Sequence, residues 1–164
     1  MPVPEELQKL VGTIYEPWLI EVERGAIKRY ADAIDDSNPL YYNVEYARKE
    51  GYRDIVAPLG FYGWPVKGKG AIESLEKIVD LFAQGGYPAI LDGGIEIEPF
   101  LPVCAGDILA AYAKVVDLYE RGGKTGSMLF FILETSYLNQ NGDTAAKTRI
   151  TIIARPVPGE QKIN

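Results

Sequence analysis

Residues 35–43 read DDSNPLYYN, a stretch that sets two carboxylates, Asp35 and Asp36, beside two amides, Asn38 and Asn43, and two phenols, Tyr41 and Tyr42. A loop aspartate can orient or activate a water, and a phenol can donate a proton. The same residue types also cap turns and helix starts, so a structural role stands beside the chemical one at Asp36, Asn38 and Asn43. The 164-residue chain contains no histidine and one cysteine, Cys104. That nearly excludes a zinc site built from nitrogen and sulfur ligands, and it excludes Ser-His-Asp and Cys-His nucleophile systems. Carboxylates, tyrosines, lysines and backbone amides are left to do any chemistry. An unperturbed tyrosine has a pKa of about 10, so near pH 7 about one part in a thousand is phenolate. Tyr41 therefore reads as an acid, or as a packing residue, rather than as a base.

The elements that must hold this loop follow from patterning. Hydrophobic residues make up 47% of the chain, enough for one globular core. Residues 14–22 read as extended, with Trp18 and Ile20 on one face. A helix is predicted over 23–34, because Ile27, Tyr30, Ala31 and Ile34 recur at helical spacing. Asp35 and Asp36 end it, and Pro39 prevents its continuation. A short helix follows over 44–50 with Gly51 as its cap. Pro58 suits a helix start, Pro65 and the glycines of KGKG interrupt that helix, and 71–82 forms an amphipathic helix through Ile72, Leu75, Ile78, Val79 and Phe82.

From residue 93 onward the chain reads as strands. Ile95 and Ile97 alternate, and Ile108, Ala110, Tyr112, Lys114 and Val116 share one side of a long run. The apolar stretch 128–133 suggests a sheet covered on both faces, one of them by a partner subunit. Asn141-Gly142 predicts a two-residue hairpin, and Asp92 in LDGG reads as a turn residue. The fold class is α+β: a single domain over residues 1–164, core about 12–155, with an antiparallel sheet wrapped around a central helix.

The loop resembles the hydratase motif of the MaoC-like family, D-x-N-P-[IL]-H-x-[DN], through Asp36, Asn38, Pro39, Leu40 and Asn43, and then through Ala47, Gly51, Tyr52, Ile55 and Val56. The stretch PFLPVCAGDIL is similar to the family's R-P-V-x-x-G-D-x-L strand signature through Pro102, Val103, Gly106, Asp107 and Leu109. The likeness runs over about residues 12–155 and is greatest to the N-terminal dehydratase half-domain and to non-catalytic subunits of 3-hydroxyacyl dehydratases. It implies a dimerising hot-dog fold and syn addition of water across a 2-enoyl thioester, or the reverse. In the family an Asp and a His move the protons, and a backbone N–H at the start of the hot-dog helix holds the thioester oxygen. Carried over, these roles fall on Asp36, on Tyr41 in place of the His, and on the Leu59 and Gly60 amides. Asn38, Asn43, Tyr42 and Phe61 are the accompanying substrate-side candidates.

Three roles stay open at this point. The chain is the His-lacking, substrate-binding subunit of a heteromeric hydratase or dehydratase, or a self-sufficient hydratase using Asp36 and Tyr41, or a non-catalytic acyl-CoA-binding or scaffold module. The implied ligand is an acyl-CoA or acyl-carrier thioester, and the implied assembly is a homodimer or a heteromer with a His-bearing MaoC-like subunit. No cofactor or metal is expected. Lys plus Arg number 17 against 23 Asp plus Glu, a net charge of −6, which argues against a nucleic-acid partner. The opening MPVPEELQKL lacks a signal-peptide pattern, no apolar run reaches the roughly 20 residues of a membrane span, and a single cysteine suits a reducing compartment, so the expected location is cytoplasmic.

Overall fold

The computed structural model describes residues 3–63, 69–123 and 126–157. Five antiparallel strands form one sheet in the order β1-β3-β4-β5-β2. They are β1 Trp18–Glu21, β2 Ala89–Pro99, β3 Ile108–Gly123, β4 Gly126–Leu138 and β5 Thr144–Arg155. β3, β4 and β5 run as a meander, and β1 and β2 close the two edges. The helices come before and between the edge strands: α1 Glu5–Gln8, α2 Arg24–Ala33, α3 Val44–Lys49 and α4 Lys69–Gln84.

Strand periodicity decides which face meets the helices. In β3, Leu109, Ala111, Ala113 and Val115 are buried, while Ile108, Tyr112 and Lys114 face outward. A bulge between Val115 and Asp117 shifts the parity, so that Leu118 returns to the core. α4 packs on this inner face through Ile78 and Phe82, with the Phe82 ring edge-on to Phe131 at 5.5 Å between centroids. A second cluster, built from Ile20, Val22, Ile27, Ile55, Phe61, Leu109 and Tyr137, lies under the loop carrying Asp36. The outer face is polar in the middle: Lys114, Glu134, Arg149 and Glu96 line up across four strands, and Arg149 pairs with Glu134 at 2.8 Å.

Several expectations are revised. Ile34, placed on the buried stripe of α2, is 48% exposed, because α2 ends at Ala33 and the chain turns away there. The regular part of the first strand begins at Trp18, with Ile14 making one isolated bridge to Lys114. β2 starts at Ala89, and Asp92 sits inside it at a bulge, where its Oδ1 accepts the Gly94 N–H at 2.8 Å. Asn141-Gly142 does not form the two-residue hairpin. The turn runs from Asn139 to Gly142, closed by the Gly142 N–H on the Asn139 carbonyl at 2.9 Å, with Gly142 at φ 85°. The Asn139 side chain accepts the Asn141 and Asp143 N–H groups, which fixes this longer loop. Pro65 and Gly68 lie outside the described residues, as do the side chains of Ile72 and Leu75.

Candidate functional site

The loop starts from a strained helix end. Asp35 has φ 54°, the left-handed conformation normally given to glycine, and its N–H reaches the Asp32 carbonyl. The Asp36 N–H bonds to the Ala31 carbonyl at 3.0 Å, completing a Schellman closure of α2. Asp36 is thereby fixed at the mouth of the loop, and its Oδ1 accepts the Asn38 N–H at 3.0 Å.

The next residues are held by capping. Asn38 caps the 3-10 turn Pro39–Tyr41 through the Leu40 N–H, and Asn43 caps α3 through the Tyr46 N–H, each at 3.0 Å. α3 closes as read from the sequence, with Gly51 at φ 92° beyond it. The Tyr42 hydroxyl donates to Asp32 Oδ1 at 2.9 Å and lies 3.1 Å from the Asp36 carbonyl. Tyr41 is half-buried against the second cluster. Burial first, and then the negative charge of Asp36, push its phenol above the ordinary tyrosine value. Asp36 and Tyr41 are therefore electrostatic neighbours, and at neutral pH Tyr41 keeps its proton.

The other side of the site is the 3-10 turn Leu59–Gly63. The Val56 N–H on the Leu40 carbonyl, 2.9 Å, ties the approach to this turn directly to the Asp36 loop. Leu59 is exposed and Phe61 fully buried. Leu59 and Gly60 open the turn, so their amides have no partner within it. Gly60 lies against the Tyr30 side chain: a Cβ there would overlap the Tyr30 hydroxyl and stand 3.0 Å from Cζ. Tyr30 also meets Phe61 edge-on at 6.1 Å. From the sheet side, the buried Tyr137 hydroxyl donates to the Tyr62 carbonyl at 3.0 Å, and its ring packs on Tyr62 at 5.2 Å. Burial pushes the Tyr62 phenol up to about 12.

Two ion pairs anchor the frame. Arg24 grips Asp54 with two bonds, 2.9 and 2.5 Å. Asp107, 4% exposed, accepts the Cys104 N–H at 2.8 Å and the Gln140 amide at 2.9 Å, and pairs with Arg53. Arg53 is thus committed to the frame, and Arg48 leans on its carbonyl at 3.3 Å. These pairs border a cavity of about 470 Å³ beside β1. The Arg24 bond holds the Asp54 carboxyl below the usual carboxylate range. Burial alone would raise Asp107, but Arg53, the Cys104 amide and Gln140 together hold it low as well. Both depressed carboxyls contribute stability that is complete above their unfolded pKa of about 3.9 and is lost as pH falls through the lower folded values. Urea midpoints should accordingly be flat from neutral pH to about 5 and fall steeply below about 4. Asp107→Asn should flatten the acid limb, and an unchanged acid limb in that variant would remove Asp107 from this account.

In the sequence Tyr30 reads only as a helix-stripe residue, and nothing local marks Arg24, Asp54 or Tyr137. Only Asp107 carried a local signal, in the Gly106-Asp107 pair. The contacts of the others span up to 75 residues of chain.

A family model described as FAS1-like, dehydratase domain region, matches residues 9–148. The chain belongs to this dehydratase family. A UPF0336 protein of Thermobifida fusca is 32% identical over 119 residues, covering 69% of this chain and 72% of that protein. A probable enoyl-CoA hydratase alpha subunit of Thermomonospora curvata is 27% identical over 145 residues, 82% of this chain and 46% of its own. The chain thus spans less than half of that hydratase subunit. Among solved structures, the ChsH1–ChsH2 complex from Mycobacterium tuberculosis superposes with a TM-score of 0.76 at 22% identity, over 93% of this chain and 95% of the matched one. The HadBC (3R-hydroxyacyl-ACP dehydratase) complex from the same organism gives 0.68 at 23%, over 88% and 96%. The fold of this dehydratase-family chain is the hot-dog fold. Among the described residues no helix is long and apolar enough to cross a membrane.

Proposed function

We propose that this chain is the substrate-binding, His-lacking subunit of a hydratase or dehydratase acting on 2-enoyl and 3-hydroxyacyl thioesters. The observation that carries the reading is Tyr41, a phenol held protonated beside Asp36 at the position of the family's catalytic base. Hydration needs a base to take a proton from water as its oxygen bonds to C3, an acid to protonate C2, and donors for the thioester oxygen as it gains enolate charge. This chain offers Asp36 to orient water or substrate, the Leu59 and Gly60 amides as donors, and Tyr42 and Phe61 around the loop. It offers no histidine, so a His-bearing MaoC-like partner supplies the imidazole base.

The surface supports a partner. β2 is an eleven-residue edge strand that, among the described residues, pairs in the sheet on one side alone, with β5. Leu91 and Ile95 on it, and Phe100 and Leu101 just beyond it, are large exposed apolar residues. Such an edge is a template for another strand. A second reading, turnover with Asp36 activating the water and Tyr41 as acid, is favoured by the charge of Asp36 bearing on the Tyr41 phenol but lacks the histidine that the family resemblance assigns to this position.

The test is hydration of crotonyl-CoA by the pure chain and by the chain co-expressed with a MaoC-like subunit carrying D-x-N-P-x-H. The pure chain should be inactive and the pair active. Full activity of the pure chain would sink the partner role and leave the Asp36–Tyr41 reading.

A further inference from the structure

We infer that Tyr30 is a positioning residue that fixes the gap between the Asp36 loop and the Leu59–Gly63 turn, the two halves of the candidate site. The inference rests on the proposed function for its effect on turnover, but not for the contact itself.

Tyr30 lies six residues before Asp36, on the helix whose Schellman closure sets Asp36. Its hydroxyl fills the volume that a Cβ on Gly60 would take, with Cζ 3.0 Å and Cε1 3.5 Å from that point. Its ring edge meets Phe61, which is 1% exposed and cannot yield. The turn is also held from behind, where Tyr137 donates to the Tyr62 carbonyl and Thr148 Oγ1 lies 3.4 Å from the Tyr137 hydroxyl. The turn is thus clamped between a helix tyrosine and a sheet tyrosine. Glycine at 60 is the residue that lets the helix tyrosine come close enough to bear on the backbone. Any shift of α2 is passed to both halves together, so their spacing stays constant.

The geometry predicts a swap. Gly60→Ala inserts a methyl where the hydroxyl stands, and Tyr30→Phe vacates that place. Gly60→Ala alone should lower the thermal midpoint of the full chain by about 4–8 °C, the usual scale of overpacking in a domain of this size. Adding Tyr30→Phe should return at least half of that loss, a coupling expected only for residues in contact. Tyr30→Phe alone should move the midpoint by less than about 2 °C. It should nevertheless speed amide exchange in the peptides spanning 36–43 and 59–63 together.

In the active pair, Tyr30→Phe should lower kcat for crotonyl-CoA about tenfold with little change in KM. The double variant should recover most of it, because the methyl introduced by Gly60→Ala refills the gap. Independent, additive midpoint shifts would overturn the contact. Coupled midpoints with unchanged exchange and unchanged kcat in Tyr30→Phe would overturn the positioning role and leave packing alone. A wild-type pair without turnover would instead overturn the functional reading, and the midpoint cycle with the exchange data then decides Tyr30 by itself.

Discussion

Replacing Asp107 with alanine should destabilise the chain by about 3–4 kcal/mol. Its carboxylate is 4% exposed and holds three groups at once: the Cys104 amide, the Gln140 side chain and the Arg53 guanidinium. Bonds to a charged acceptor contribute roughly 1.5–3 kcal/mol each, and a buried donor left without a partner costs about 1–3 kcal/mol. The three losses do not add in full, because Arg53 is half exposed and the Gln140 amide can turn to water. The Cys104 amide has no such escape: Cys104 is buried and bridged to Val56. For a chain of this length the loss corresponds to roughly 10 °C in thermal midpoint. Arg53→Ala should cost much less, since it leaves Asp107 with two of its donors. Urea denaturation of the two variants checks the asymmetry. A loss below about 1 kcal/mol for Asp107→Ala would show that the loop at 104–107 does not depend on it. The loops at 53–57 and 104–107 are joined through the Ala57 N–H on the Val103 carbonyl and the Ala105 N–H on the Ile55 carbonyl, 2.8 and 2.9 Å. Loosening one loosens the approach to the Leu59–Gly63 turn as well.

The second large effect is a gain. Tyr41→His should raise crotonyl-CoA hydration by the pure chain at least about 100-fold, because positioned acid–base help contributes about 10² to 10⁴ in rate. Asp36 and its loop are already in place, held by the α2 closure, the Asn38 and Asn43 caps and the Tyr42 bond to Asp32. An imidazole with a pKa near 6.5 can take a proton from water at neutral pH, which the phenol of Tyr41 cannot. The gained activity should fade below about pH 6 as the new histidine protonates. No gain, in a variant that folds and still binds acyl-CoA, would mean that Asp36 is not placed for proton work.

The sequence was most legible where the information is local. α2 and α3 were placed within a residue or two of their ends, because their amphipathic stripes, their caps and Pro39 all act over short spans of chain. The parity of β3 up to the bulge was legible for the same reason. The misses share one cause, local signals outvoted by contacts elsewhere. Asn141-Gly142 is a strong two-residue turn signal, yet the Asn139 side chain satisfies two later amides and draws the turn back to 139–142. Asp92-Gly93-Gly94 looks like a turn, but β5 runs alongside from Ala146 to Arg155 and pairs across it, so the glycines become a bulge in a strand. In the candidate site, the turn and capping bonds of Asp36, Asn38 and Asn43 were legible from their loop. Tyr30 was not, because nothing in α2 announces that its hydroxyl stands against a glycine 30 residues on.

Titration of a His-bearing MaoC-like subunit with this chain, read as the initial rate of crotonyl-CoA hydration, tests the central claim most directly. The rate should rise with added chain and level off at equal numbers of the two subunits, with the chain alone contributing nothing. A partner whose rate is unchanged by the chain, or a chain that hydrates at the full rate by itself, would contradict the account.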